Sequence, residues 1–133
     1  MFAVVTKITD KTRKVLLAKD KAQFANLRHA AASIRKQVMA SITKDTEPSQ
    51  PGTPPHTRGR GSHNLRSAML FDVNETDAIV GPRFKFVGTS GRAHEFGEKY
   101  KGVDFEERPF MLPALLDNLP RFVDQWEGSI GER

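Results

Sequence analysis

The sequence has no cysteine, which removes disulfides, thiolate metal sites and cysteine nucleophiles from consideration. That composition suits a chain assembled in a reducing compartment. Long apolar runs are also missing. No stretch approaches the ~18–20 residues needed to cross a bilayer. Phe2 to Val5 is too short for a secretory core, and no basic segment precedes it, so the expected origin is cytoplasmic. Glycine and proline are absent from residues 11–43, so nothing there punctuates a helix.

A convergent reaction centre is missing too. The histidines are His29, His56, His63 and His94. His56 and His63 lie in one Pro/Gly-rich stretch without a nearby carboxylate pair, unlike the fixed ligand frame a zinc site requires. His94 and Glu95 are adjacent, so on a strand they would face opposite sides. The serines at 62, 67, 90 and 129 have no nucleophile-elbow context. Gly88-Thr-Ser-Gly91 is not followed by the Lys-Ser/Thr helix start of a phosphate loop. The sequence therefore gives no reason to expect an enzyme, a metal or a cofactor.

What is present fits one domain over residues 1–133, long enough for a single core. The charge is uneven. Residues 1–44 hold ten Lys/Arg against two Asp, and residues 103–133 hold three Arg against seven Asp/Glu. A basic end of this kind suits a polyanion, or the acidic end of a second copy. Non-specific nucleic-acid binding through the basic N-terminal region is thus an alternative function, although no helix-turn-helix, ribonucleoprotein or zinc-finger pattern accompanies it.

The β-rich residues 2–8 predict a short strand, with Thr9 or Asp10 able to cap the adjoining helix. Leu17, Phe24, Leu27, Ala31, Ile34, Val38 and Ile42 recur at helical spacing, predicting one long helix that either breaks near residues 19–21 or projects from the body. Residues 45–64 contain four prolines and three glycines, and are expected to be a mobile loop with little to bury. Strands are expected over residues 65–73, 78–81 and 83–87, the last placing Phe84 and Phe86 on one face. Residues 93–97 are expected to be extended or a single turn, and residues 98–107 a second mobile loop. Leu112, Leu116, Leu119, Val123, Trp126 and Ile130 mark a final helix, kinked near Pro120. The expected core is Phe71, Phe84, Phe86, Leu116, Val123 and Trp126. The fold class is therefore α+β: a small, mainly antiparallel sheet packed by a long N-terminal and a C-terminal helix.

Three stretches carry a family resemblance. The first is Pro51-Gly-Thr-Pro-Pro-His-Thr-Arg-Gly59 with Gly61-Ser-His-Asn-Leu-Arg-Ser-Ala68. The second is Val80-Gly-Pro82 followed by Ala93-His-Glu-Phe-Gly97, and the third Glu107-Arg-Pro-Phe-Met-Leu-Pro-Ala-Leu115. In order and spacing they resemble the tail-completion, or neck, proteins of long-tailed bacteriophages. The chain departs from that pattern at Arg92-Ala-His94, where apolar residues or tyrosine usually stand. The resemblance implies a structural virion protein that completes the tail or joins it to the head connector. It implies a ring of copies, commonly a hexamer, with head-connector and tail-tube proteins as neighbours, and no catalysis. It also implies a place in the virion tail or neck after assembly in the host cytoplasm. Chance contact with passing DNA is compatible with this reading; a membrane partner is not expected.

The motif residues taken as candidate interface or folding determinants are Arg58, Arg60, Leu65, Arg66, Glu95, Phe96, Gly97, Arg108, Pro109 and Phe110. Arg108 is expected to pair with Glu95, and Phe110 to enter the core. The 45–64 arm is expected to dock on a neighbouring ring. An arm packed rigidly within one molecule over a clustered polar pocket would undo the assembly reading and call for an enzymatic one.

Overall fold

The computed structural model describes residues 3–7, 9–58 and 64–130. In chain order, α1 (Thr12–Ser41) leads to a hairpin of β1 (Met69–Val73) and β2 (Ala78–Pro82). Two short helices come next, α2 (Phe84–Val87) and α3 (Ser90–Phe96). A two-residue hairpin of β3 (Lys99–Tyr100) and β4 (Val103–Asp104) precedes the last helix, α4 (Met111–Trp126). The fold is α+β, with two separate antiparallel two-stranded sheets.

The apolar periodicity of α1 divides into two halves. Ala31, Val38 and Ile42 are buried, and Ile34 packs beside them. The first part has no such cover: residues 12–17 are all exposed. The helix does not break at residues 19–21, so its first ten residues extend roughly 15 Å beyond the packed part. At its start the Asp10 carboxylate accepts the Thr12 backbone N–H at 2.8 Å. Hydrogen bonds from the Thr12 hydroxyl and then its N–H hold that carboxyl below the usual aspartate range.

β1 and β2 pair in the register Met69 to Pro82 through Val73 to Ala78. The Asn74 side chain sets the turn by accepting the N–H groups of Thr76 and Asp77. The sheet lies on α1, where the Arg35 Nε donates to the Met69 carbonyl at 2.8 Å. Val38, Ile42, Met69, Phe110 and Ala114 form the buried core between α1, β1 and α4.

Several sequence expectations fail. Residues 3–7 form no strand and are exposed, while Phe2 and Ile8 lie outside the described residues. The alternating residues 83–87 form a helical turn, with the Gly88 N–H donating to the Phe84 carbonyl at 2.7 Å. Four residues satisfy either period, and here no neighbouring strand supplies ladder bonds. Phe84 is consequently 72% exposed. Residues 93–97 belong mainly to α3, and residues 98–107 contain the second hairpin. Of the expected core, Phe71, Phe84, Leu116 and Val123 are exposed, and Phe86 and Trp126 are half-buried.

The exposure of Leu116 and Val123 has a geometric reason. α4 runs unbroken through Pro120, but the residues it buries are Ala114 and Asn118. Small Ala114 lets the helix approach α1 closely. Asn118 is satisfied there, donating to the Gln37 side-chain oxygen at 2.6 Å and to the Ala114 carbonyl at 2.7 Å. The stripe Leu112, Leu116, Leu119, Val123 lies roughly 150° around the helix axis from that face, nearly opposite it, and faces out.

Candidate functional site

The motif residues meet around the start of α4. Glu95, near the end of α3, is buried and directs its carboxylate at the first N–H groups of α4. One oxygen accepts from Phe110 and Met111, each at 2.9 Å, and the other from Leu112 at 3.0 Å. Three donors that the helix itself cannot satisfy are thereby paired, and the negative charge sits at the positive end of the helix dipole. No side chain from the α4 lead-in does this work. The cap comes from a residue 15 positions earlier.

The chain must reverse direction tightly for Glu95 to reach that position. Gly97 provides the reversal at φ +70°, in the left-handed region where a side chain is strained. A Cβ there would also lie 3.0 Å from the Glu107 backbone nitrogen. The returning segment lies across α3, with the Arg108 N–H donating to the His94 carbonyl at 2.6 Å. Pro109 then holds Arg108 away from helical geometry, and Phe110 enters the core at 1% exposure.

Arg108 does not pair with Glu95 as expected. Its Nε donates to the Ser49 carbonyl at 3.0 Å, and a terminal nitrogen lies 3.4 Å from the Glu106 carboxylate. Arg108 therefore ties the Pro/Gly-rich segment to the body. Around it, the Gly52 N–H donates to the Glu107 carbonyl at 2.8 Å, and Thr43 and Asp45 exchange backbone bonds with Thr57. Pro55 and Ser49 are buried. The expectation that this segment has little to bury is corrected over residues 45–58. Proline and glycine excluded helix, as expected, but they did not preclude packing of an irregular chain.

Of the remaining candidates, Leu65 packs against the core. Arg58 and Arg66 are exposed, and Arg58 also borders a polar pocket. Phe96, placed with Glu95 by sequence, points outward at 65% exposure. Arg60, with His63, lies outside the described residues.

Two concavities flank this junction. The polar pocket, of about 670 Å³, lies beneath residues 47–58, and its lining includes Ser49, His56, Arg58, His94, Glu106 and Arg108. Burial lowers the pKa of His94, and the neighbouring Arg108 charge lowers it further. Its ring meets Phe105 edge-on at 4.8 Å. Neither the Ser49 hydroxyl nor the His94 Nδ1 has a hydrogen-bond partner, so the two do not form the linked nucleophile and base of a hydrolase. His56 Nδ1 lies 2.8 Å from the Glu47 carbonyl. No group of three or more metal-ligating side chains occurs among the described residues.

The second concavity is an apolar groove of about 750 Å³ between α4, β2 and the α2–α3 turn. Ala78, Val80, Phe84, Phe96, Leu112 and Leu115 contribute to its walls. It continues along α4 into a smaller apolar hollow of about 170 Å³, bounded by Leu27, Leu119 and Phe122.

No protein-family model, curated protein or solved structure matches the chain. The geometry and the sequence motifs therefore carry the functional argument. No helix among the described residues is long and apolar enough to cross a membrane.

The groove was not legible as such in the sequence, because α4, β2 and the α2–α3 turn build its walls together. The stripe of α4 was legible, but a stripe does not tell which side of the helix is turned inward. The capping role of Glu95 was likewise hidden, because its partners are backbone groups far along the chain.

Proposed function

We propose that this protein is a structural subunit of a bacteriophage neck or tail end, working as one member of an oligomeric ring. The observation that carries the reading is the outward apolar side of α4, with Leu112, Leu116, Leu119 and Val123 all exposed. A continuous apolar strip beside an open apolar groove is the character of a surface awaiting a protein partner. The resemblance of the motifs to tail-completion proteins supplies the kind of assembly. The interlock of Glu95, Gly97 and Arg108–Phe110 gives those motifs a physical role: they fix how α4 is presented.

The contact mechanism expected from sequence needs revision. Residues 45–58 are engaged by their own chain, so the proposal does not rest on a free arm that grips a neighbour. Light scattering and negative-stain microscopy of the purified protein test the ring directly. Closed rings of uniform size are expected at high protein concentration. A monomer at every concentration, in low and moderate salt, argues against it.

Two rivals have specific supports. The exposed basic residues of early α1, including Arg13, Lys14 and Lys21, favour nucleic-acid binding. Tight DNA binding by the monomer that falls steeply with salt would select that reading. The polar pocket beneath a packed segment favours an enzyme, as anticipated for such an arrangement. Turnover of ester or phosphoester substrates, abolished by His94→Ala with folding intact, would select it.

A further inference from the structure

The outward stripe of α4 and the protruding end of α1 have matching chemistry. We propose that this stripe packs against the N-terminal part of α1 from a second copy of this chain, in a head-to-tail contact. The inference rests on the ring reading and names the surfaces that would form it.

The donor is the part of α1 that its own chain leaves uncovered. Val15, Leu16 and Leu17 are each more than half exposed, and Phe24 is 43% exposed. The helix is continuous to Ser41, and its later turns are fixed in the core. Its tip is therefore held away from the body and cannot fold back onto the outer side of α4 in the same molecule. From Val15 to Phe24 the apolar residues span about 14 Å at helical rise.

The acceptor is the outer side of α4. Leu112 to Val123 extends about 17 Å at the same rise, so the two strips are similar in length. On the donor, Leu17 and Phe24 share one face seven residues apart, the same spacing as Leu116 and Val123 on the acceptor, and matched spacings of this kind let two helices pack side by side.

Charge favours the same pairing. Lys11, Arg13, Lys14, Lys19 and Lys21 surround the donor strip, against Asp10 and Asp20. On the acceptor helix and just past its end, Asp117, Asp124 and Glu127 outnumber Arg121. Opposite signs at the rim would orient the approach. Donor and acceptor are different surfaces of one chain. Such a contact leaves a free donor and a free acceptor after every addition, and closes only as a ring.

The native chain lacks cysteine, so introduced thiols report this contact without background. Leu17→Cys and Leu116→Cys are made singly and together in the full chain, at exposed positions. Unchanged melting curves verify folding. Under mild oxidation the double variant is expected to give a ladder of covalent dimers, trimers and larger species. Mixing the two single variants should give only the 1:1 dimer. Each single variant alone should cross-link at least tenfold more slowly. Fast homodimers from Leu17→Cys alone would overturn the proposal by showing a symmetric contact. So would a double variant no faster than the single ones.

Light scattering separates this inference from the ring itself. Rings that persist unchanged in Leu116→Asp and in Leu17→Asp would sink the proposed surfaces and leave the ring standing. A wild-type protein that stays monomeric and shows no accelerated cross-linking would sink both.

Discussion

Replacing Glu95 tests the junction on which the presentation of α4 depends. Its carboxylate is buried and accepts three backbone N–H groups. A hydrogen bond to a charged acceptor contributes about 1.5–3 kcal/mol. Three such bonds do not add in full, because they share one carboxylate and water can reach part of a helix start. The buried Phe110 N–H, however, would be left unsatisfied beside the core. We expect Glu95→Ala to cost about 3–5 kcal/mol, above the ~0.5–2 kcal/mol of an ordinary surface cap. For 133 residues, unfolding entropy near the midpoint makes each kcal/mol worth roughly 3.5 °C. The expected fall in Tm is therefore about 10–18 °C, read by circular dichroism. Glu95→Gln retains one oxygen, which can still serve Phe110 and Met111. It turns an amide N–H toward the Leu112 N–H and loses the charge. A fall of roughly 5–9 °C is expected for it, from about 1.5–2.5 kcal/mol. A Glu95→Ala protein melting within about 3 °C of wild type would refute the capping argument.

Gly97→Ala combines left-handed strain with contact against the Glu107 backbone, whereas Gly102→Ala at φ +77° meets open space. Denaturant unfolding should place Gly102→Ala about 1–2 kcal/mol below wild type and Gly97→Ala at least ~1 kcal/mol lower still. Equal losses would remove the close-approach argument. Phe110→Ala should cost about 3–5 kcal/mol by emptying a core position, while Phe84→Asp should leave Tm nearly unchanged. Loss of folded protein in the second variant would restore the sequence expectation of a buried Phe84. His94 has its pKa lowered in the fold by burial and by Arg108, so the unfolded chain takes up its proton first as pH falls. Its contribution to stability is complete above the unfolded value near 6.5 and is lost as pH falls through the folded value. Asp10 and Asp45, both held below the usual carboxyl range by hydrogen bonds, act only in stronger acid. The drop in Tm between pH 7 and pH 5 should thus be shallower in His94→Gln than in wild type. An unchanged slope would count against this role.

The elements that sequence located well are those whose signal is local and long. α1 had an uninterrupted apolar repeat, and its bounds, Thr12–Ser41, fall within two residues of the Gly/Pro-free stretch 11–43. The turn at residues 74–77 carried its own side-chain acceptor in Asn74. Signals spanning four or five residues failed, as at Phe84–Val87, where strand and helix periods cannot be distinguished. Burial failed for a different reason. Periodicity in α4 identified a helix, but α1 and α4 approach through Ala114 and the Asn118–Gln37 bond. The large side chains of the stripe are thereby left on the far side of α4. Glu95, Gly97, Arg108 and Phe110 were recognised together as motif residues. Their pairing was misread because Arg108 and Glu95 each take backbone partners in preference to one another.

These two corrections bear on function in opposite directions. A packed 45–58 segment removes the element first expected to reach a neighbour, and the pocket beneath it is polar. The α4 stripe that sequence had assigned to the interior is exposed, which gives the proposed assembly a surface to use. If that stripe were core, a single chain would have used its main apolar strip and assembly would need the arm. Since it is not, the strip that makes the C-terminal helix amphipathic is only partly consumed by folding. The same is true of α1, whose first turns keep Val15, Leu16 and Leu17 outside. A monomer gains nothing from holding two such strips apart on rigid helices of opposite charge character. In the proposed head-to-tail contact between copies, each strip would cover what the other exposes.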